Sequence, residues 1–199
     1  MENLTRSQQH FATVEQWRQE LRTALARQFP TGGELVWEVG CGHGHFLAAY
    51  AARHPEVACV GVDLSGDRIE RALRKRDRAR LANLHFFRAE AGLFLEVLPA
   101  EVRITDTFVL FPDPWPKLRH QKHRVLQPRF LHALAAHATP TARLFFRTDF
   151  RPYFDETRAL LAQNRDWRLV DSAWPFEFET VFQSRAASYD SLVASRIIS

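Results

Sequence analysis

Residues 35–46 have the sequence LVWEVGCGHGHF, an apolar run that ends in an acid and continues with glycines at every second position. Such a run predicts a buried strand that turns sharply into a helix. Glycine lets the backbone adopt positive φ and approach a ligand, and the first N–H groups of the following helix have no intrahelical partner. The stretch therefore predicts a turn that holds a cofactor, with a glycine-rich turn that binds nothing as the alternative.

The spacing of the glycines separates two classes of cofactor. In the dinucleotide-binding fingerprint two residues precede the third glycine, whereas Gly40, Gly42 and Gly44 strictly alternate. An acid at Glu38, two residues before the first glycine, would repel a pyrophosphate on the helix N-terminus. It could pair instead with a ligand that carries a positive charge and an ammonium group. The pattern therefore favours S-adenosylmethionine over NAD.

Length and composition indicate one domain with a substantial core. The chain has 199 residues, of which 46% are hydrophobic and 12% aromatic, and this is enough to bury a core. We expect a single domain over residues 1–199, with 1–30 as a helical extension packed on it. Two cysteines without a CxxC pair and nine scattered histidines predict neither a disulfide framework nor a metal site.

The sequence also predicts where the protein works. No apolar run comes near the roughly 18 residues that a membrane-spanning helix needs, and the first ten residues are polar without an apolar core. We therefore expect a soluble, unexported, cytoplasmic protein without a membrane partner. A monomer and a homodimer are both compatible with the sequence.

Strand and helix patterns alternate after the opening turn. Further apolar runs predict strands over 57–63, 84–88, 107–111, 142–147, 168–171, 179–185 and 189–196. Helices are predicted over 13–29, 46–53, 66–81, 90–98, 127–137 and 153–163. The last two strands are expected to form a hairpin. The alternation predicts an α/β fold, a mostly parallel twisted sheet with helices on both faces and an antiparallel C-terminal hairpin.

Acids stand at the ends of three successive predicted strands, at Glu38, Asp63 and Glu90. In an open parallel sheet the carboxyl ends of the strands share one edge, where ligands bind. Asp63 is placed to accept hydrogen bonds from both ribose hydroxyls of an adenosine, although it could instead cap the next helix. We therefore expect these carboxylates to meet at one ligand-binding edge.

A second dense motif, FPDPWPKLRHQKHR at 111–124, follows the fourth strand along the chain. Three prolines within five residues fix φ and remove backbone donors, so they predict a stiff loop that holds Asp113 and Trp115 at the same edge. No acid occurs over 114–148, while basic residues recur there. This basic band favours a role in phosphate binding, with a solubilising surface loop as the alternative.

Together these motifs resemble those of the bacterial tRNA (guanine-N7)-methyltransferases, which are Rossmann-like class I methyltransferases that use S-adenosylmethionine. The most specific match is FPDPWPK at 111–117 with the cations and Gln127 that follow it. Supporting matches are EVGCGHG at 38–44, Glu90-Ala91, Thr148-Asp149 with Tyr153 following, and the region of Thr180. The resemblance covers nearly all of the chain after about residue 35, and it implies formation of 7-methylguanosine in tRNA.

The resemblance also implies roles for individual residues. Contacts to S-adenosylmethionine are implied for Glu38, Asp63, Glu90 and Asp113, beside the turn formed by Gly40, Gly42 and Gly44. Contacts to the target guanosine are implied for Lys117, Asp149 and Thr180. We take Asp113 as the catalytic residue, which positions the base together with Asp149. The cations expected to hold RNA phosphates are Lys117, Arg119, Lys122 and Arg124.

The sequence departs from the family pattern before the last strand. The family usually has Thr-x-x-Glu there, whereas this chain has TVFQ at 180–183. A carboxylate accepts twice from the edge of guanine, while Gln183 offers one carbonyl and one donor. Three alternatives follow: a methyltransferase of a protein or small molecule, a divergent tRNA-binding relative with weak or no activity, and a nicotinamide-dependent enzyme. The alternating glycines disfavour the third.

Overall fold

The computed structural model describes residues 6–179 and 183–198, and a seven-stranded sheet lies at the centre of this part of the chain. The strands are β1 (Gly33–Val39), β2 (Ala58–Asp63), β3 (Leu84–Arg88), β4 (Val102–Leu110), β5 (Ala138–Thr148), β6 (Trp167–Val170) and β7 (Asp190–Arg196). The helices are α1 (Arg6–Gln28), α2 (His45–Arg53), α3 (Gly66–Ala79), α4 (Ala91–Val97), α5 (Pro128–His137) and α6 (Arg151–Ala162). Two short 3₁₀ helices cover Leu118–His123 and Gln183–Arg185.

The order of the strands in the sheet is β3-β2-β1-β4-β5-β7-β6. The pairs from β3 through β5 are parallel, and β7 runs antiparallel to both β5 and β6. Each parallel connection passes through a helix, as a crossover requires. The structure therefore confirms the predicted α/β fold, which is mostly parallel and ends in antiparallel strands.

The predicted C-terminal hairpin has different partners from those expected. Gln183–Arg185 form a 3₁₀ helix and not a strand, while 180–182 lie outside the described residues. Strand β7 pairs with β5 on one side and with β6 on the other. Because both edges of β7 are occupied, β7 has no free edge for the hairpin partner predicted at 179–185. The antiparallel C-terminal pair is β6 with β7, joined by residues 171–189.

Alternate strand residues point to opposite faces of the sheet and form two apolar layers. Trp37 and Phe146 belong to the first layer, with buried side chains of α1, α4, α5 and α6. Phe108 and Phe145 belong to the second layer, with buried side chains of α2 and α3. The second layer also includes aromatic side chains from the segment 174–178, which packs on the sheet beside α2. Helices therefore cover both faces, as predicted.

Helix α1 packs on the first layer and begins earlier than the sequence pattern predicts. Leu21 and Leu25 are buried in the layer, and the helix contacts α4. Its end at Gln28 fits the helix-terminating Pro30 that follows. Over the described residues, no helix combines the length and apolarity needed to cross a bilayer.

Candidate cofactor and substrate site

The parallel strands place five acids of the sequence along one edge of the sheet, which we call the rim. Glu38 lies near the end of β1 and Asp63 ends β2, while Glu90 follows β3 by two residues. Asp113 comes three residues after the end of β4, and Asp149 directly follows β5. The rim is the edge at which open parallel sheets bind ligands.

The glycine turn between β1 and α2 has the conformation that the sequence predicts. Gly44 has φ +65 at the N-cap of α2, and a Cβ there would lie 2.5 Å from Cζ of Phe86. Gly42 has φ +54, but a Cβ on it would meet no atom of the described residues within 4 Å. Packing therefore excludes a side chain at Gly44, while the space beside Gly42 is open for a ligand.

Asp63 ties this turn to β2. Its Oδ2 accepts a hydrogen bond from the N–H of Gly42 at 3.0 Å, and its Oδ1 accepts from the N–H of Ser65 at 2.8 Å. The guanidinium of Arg68 lies 3.6 Å from the same carboxylate. Ser65, and not Asp63, caps α3, because its hydroxyl accepts from the N–H of Arg68. Each oxygen of Asp63 keeps acceptor capacity for a ligand hydroxyl.

Glu38 is buried beside the turn with an incomplete set of partners. Its side chain is 4% exposed, and it accepts a hydrogen bond from the backbone of Leu47 in the first turn of α2. Its Oε2 has no partner among the described residues. Burial raises the pKa of Glu38 to about 8, and the nearby charge of Asp63 adds to the rise. A cationic ligand group beside Glu38 would favour its ionised form.

Two further groups line the rim beyond Asp63. Glu90 caps α4, since its Oε2 accepts a hydrogen bond from the N–H of Leu93 at 3.1 Å. Leu64, which the sequence analysis did not single out, is 67% exposed directly after Asp63. Arg88 fixes the backbone there by donating from Nε to the carbonyl oxygen of Leu64 at 3.1 Å. The sequence did contain a signal for Leu64, because it is a large apolar residue directly after the acid that ends a predicted strand.

The FPDPWPK loop is folded tightly against the 3₁₀ helix that follows it. Phe111 and Trp115 have φ of +49 and +43, a conformation that is uncommon for bulky residues and is often found at functional sites. The ring of Trp115 lies 5.8 Å from His120 and 5.2 Å from His123, measured between centroids. The loop leaves Asp113 exposed next to the end of β4.

Arg124, one of the cations predicted to hold RNA phosphates, is buried in the structure. Its Nε donates to the carbonyl oxygen of Pro114 at 2.9 Å. It also pairs with Glu156 of α6, and its guanidinium lies 4.7 Å from the ring centroid of Tyr153. A planar guanidinium can satisfy a carbonyl, a carboxylate and an aromatic face together. Arg124 therefore anchors the loop to α6 and does not face a phosphate at the surface.

The predicted basic band over 114–148 exposes fewer unpaired cations than its composition indicates, because acids from elsewhere in the chain pair with some of them. Arg143 forms a two-pronged pair with Asp106, at 3.0 and 2.9 Å, and Arg147 pairs with Glu177 at 3.1 Å. These acids lie outside 114–148, so the local sequence did not reveal them. The cations that stay exposed, without a carboxylate within 4.0 Å among the described residues, include Lys117, Arg119 and Lys122.

Arg147 organises the end of the rim near Asp149, and the sequence analysis did not assign it a role. Its guanidinium lies 4.1 Å from the ring centroid of Trp174 and 4.8 Å from that of Tyr189. It donates from Nη1 to Oε1 of Gln183 at 3.2 Å. The structure thus brings Gln183 to the end of β5. The exposed Asp149 lies two residues after Arg147, directly after that strand. Thr180 lies outside the described residues.

Residues 33–188 match the family Methyltransf_4, described as "Putative methyltransferase". The tRNA (guanine-N(7)-)-methyltransferase of Syntrophotalea carbinolica is 34% identical over 139 residues, which are 70% of this chain and 60% of that protein. The enzyme of the same name from Hyphomonas neptunium is 37% identical over 72% of this chain and 64% of its own length. The chain thus spans less than two thirds of these relatives.

Solved structures of methyltransferases have a similar fold. The 16S rRNA (adenine(1408)-N(1))-methyltransferase from Catenulisporales acidiphilia, solved as a variant with the cosubstrate SAM, has a TM-score of 0.60 at 22% identity. The similarity covers 89% of this chain and 92% of that one. The antibiotic-resistance methyltransferase Kmr has a TM-score of 0.57, also at 22% identity, over 88% of this chain and 93% of that one. At this level of identity the comparison shows a shared fold.

Proposed function

Because this chain belongs to the Methyltransf_4 family of methyltransferases, we propose that it methylates N7 of a guanosine in tRNA, with S-adenosylmethionine as the methyl donor. The observation that carries this proposal is the rim. There the fold brings together the open glycine turn, a buried carboxylate with one oxygen that no described residue contacts by a hydrogen bond, and the strained FPDPWPK loop with exposed cations. Curated relatives with the name tRNA (guanine-N(7)-)-methyltransferase support the choice of substrate. A tRNA substrate implies a cytoplasmic protein.

The residues at the rim fit S-adenosylmethionine. The open space beside Gly42 and the Oε2 of Glu38, which has no partner within the described ranges, suit a compact ligand that carries an ammonium group. Asp63 has acceptor capacity for ribose hydroxyls, and Leu64 offers an exposed apolar surface beside it. We assign cofactor binding to Glu38, Gly40, Gly42, Gly44, Asp63, Glu90 and Asp113.

The proposed reaction makes few demands on acid or base groups. S-adenosylmethionine supplies a methyl group on a sulfonium, so that as the bond to guanine N7 forms, the bond to sulfur breaks and its electron pair stays on sulfur. N7 has an in-plane lone pair and no proton to lose, so the protein needs no strong general base. Its contribution is alignment of the base and placement of charge.

The chain supplies that alignment through two exposed carboxylates. Asp113 and Asp149 stand at the ends of the neighbouring strands β4 and β5. We assign them to hydrogen bonds with the guanine base, where their negative charge stabilises the positive charge that the ring acquires. Gln183, held by Arg147 at the same end of β5, contributes an amide to the substrate side.

Phosphate contacts hold the RNA in register without reading its sequence. We assign them to Lys117, Arg119 and Lys122, which are exposed on and beside the 3₁₀ helix after the FPDPWPK loop. Arg124 supports them indirectly, because it anchors the carbonyl of Pro114 to Glu156 of α6. The loop is thereby held rigidly next to the proposed position of the base.

Incubation of the purified protein with labelled S-adenosylmethionine and unmodified tRNA, followed by nucleoside analysis, tests this function. We expect 7-methylguanosine, and none with the matched Asp113→Ala variant. A protein that binds both cofactor and tRNA without forming a methylated nucleoside would contradict the proposed activity and favour a tRNA-binding relative. A different methylated nucleoside would change the target atom but retain the reaction class.

A further inference from the structure

A second cationic feature lies on α3, away from the FPDPWPK loop. A cavity of about 240 Å³ opens between α3 and the glycine turn. Its lining consists of two histidines and four cations: His43, His45, Arg71, Arg74, Lys75 and Arg78. We call this cavity the α3 pocket. No carboxylate is among its lining residues.

The cations of the α3 pocket follow one face of the helix. Positions 71, 74, 75 and 78 are three or four residues apart, and like charges at this spacing destabilise a helix. Arg74 is partly compensated, since Glu70 lies 3.8 Å from it. Arg71 and Arg78 are exposed and have no carboxylate within 4.0 Å in the described part of the chain. The face therefore carries uncompensated positive charge.

A hydrogen bond between two elements fixes the shape of the pocket. Lys75 Nζ donates to the carbonyl oxygen of His43 at 2.9 Å, which ties α3 to the glycine turn. Burial lowers the pKa of His43, and the positive charges of Arg71, Arg68 and Lys75 lower it further, while Asp63 opposes them. The pKa of His45 is lowered by burial and by Lys75 and His43. The field in the pocket is thus positive and adjoins the turn proposed to hold the cofactor.

We propose that the α3 pocket is a second RNA-contacting surface, which takes backbone phosphate of the tRNA substrate on the side of the glycine turn opposite β4. This inference rests on the proposed function, because it takes tRNA as the polyanion. The pocket has room for a phosphate with its water, given that a water occupies about 30 Å³. Its arginines are exposed along the helix and not enclosed, which suits an extended polyanion more than a small free anion.

The double variant Arg71→Ala with Arg78→Ala tests the inference. Both residues are exposed and have no ion-pair partner in the described part of the chain, so we expect the variant to fold with unchanged thermal stability. Binding of unmodified tRNA, measured across a salt series, should weaken roughly tenfold near physiological salt, and the slope of log K against log salt should fall by about two. The KM for tRNA should rise while kcat at saturating tRNA stays unchanged.

A matched control removes the same charge elsewhere. Arg53→Ala with Arg158→Ala takes two exposed arginines from the far end of α2 and from α6 on the other face of the sheet. We expect this control to keep the tRNA affinity and salt slope of the parent. Equal losses in both double variants would overturn the inference, since net charge alone would then explain the binding.

Two further outcomes separate this inference from the proposed function. If no 7-methylguanosine forms but only the Arg71/Arg78 variant loses tRNA binding, the methylation proposal fails and the α3 pocket still stands as an RNA site. If that variant binds tRNA like the parent, the inference is wrong whatever the activity. The melting temperature with and without inorganic phosphate gives one more comparison. If phosphate stabilises the parent but not the Arg71/Arg78 variant, while both bind tRNA equally, the RNA inference is overturned and the pocket is assigned to a free anion.

Discussion

Arg147 Nη1 donates a hydrogen bond to Oε1 of Gln183 at 3.2 Å, and this bond joins the end of β5 to the segment before β7. The same amide donates from Nε2 to the hydroxyl of Tyr189 at 3.0 Å. Gln183 is thus held at both ends in this chain, where a relative with glutamate would offer only acceptors. Its position beside a buried guanidinium indicates that it orders the end of the rim that we propose binds the substrate.

We therefore expect Gln183→Ala to lower the rate of 7-methylguanosine formation by roughly tenfold, since a hydrogen bond to a charged group contributes about 1.5–3 kcal/mol. Gln183→Glu keeps an acceptor for Arg147, and the hydroxyl of Tyr189 can then donate to it. This variant should retain activity within a few-fold of the parent. Steady-state rates with unmodified tRNA make the comparison, and equal losses in the two variants would contradict the role given to this hydrogen bond.

The buried carboxyl of Glu38 predicts a pH dependence of stability. Its pKa rises from 4.5 to about 8 on folding, so the folded state binds more protons than the unfolded state between these values. The stability associated with the neutral carboxyl is present below about pH 4.5 and is lost as the pH rises towards 8. We expect the melting temperature of the parent to fall over this range relative to Glu38→Gln, measured without cofactor. Parallel curves for the two proteins would contradict this assignment.

Asp113 is exposed on the strained loop, so its removal should affect chemistry more than folding. We expect Asp113→Ala to abolish detectable methyl transfer while the affinity for tRNA stays within a few-fold and the melting temperature is unchanged. Asp113→Asn, which keeps the shape without the charge, should also lose most activity if charge placement is the contribution. Full activity of either variant would remove Asp113 from the mechanism.

The two kinds of cation near the loop should respond differently to mutation. Arg119→Ala with Lys122→Ala removes exposed charge, so we expect weaker tRNA binding and a salt slope smaller by about two. The melting temperature should stay the same, because neither residue has an ion-pair partner among the described residues. An unaltered salt slope would indicate a solubilising surface and not an RNA contact.

Arg124→Met, in contrast, should act on stability. It removes the donor to the carbonyl of Pro114 and the partner of Glu156, at a cost of about 1–3 kcal/mol. For a chain of this size we expect a melting temperature lower by roughly 5 °C. Catalysis should fall as the loop loosens, with little change in the salt slope. A salt slope that fell by about one, with the melting temperature unchanged, would restore Arg124 as a phosphate contact.

The parts of the site that the sequence predicts are those set by local pattern. Alternating glycines after an apolar run define the turn, and Asp63 and Glu90 follow from their positions at strand ends. The parts it did not predict depend on partners distant in the chain. Glu156 is 32 residues from Arg124 and Glu177 is 30 residues from Arg147. No local pattern reports whether an arginine is paired across the fold, so buried anchors and exposed contacts have the same appearance in the sequence.

The hairpin was mispredicted for a related reason. The strand predicted over 179–185 follows FEFE at 176–179, which alternates apolar and polar side chains as a half-buried strand does. In the fold, Phe176 and Phe178 pack on the sheet face beside α2, and β7 is paired on both sides. Periodicity detects a half-buried segment but does not say whether its neighbour is the edge of a sheet or its face.

The position of β7 between β5 and β6 has a consequence for synthesis of the protein on the ribosome. Strand β6 is made before β7 but has no partner in the sheet until residues 190–196 emerge. Until then β5 also presents an unpaired edge along the residues that later face β7. The nascent chain therefore carries two open strand edges that other nascent chains can join. Stalling before residue 190 should thus leave a product that depends on chaperones, although most of the rim is already encoded.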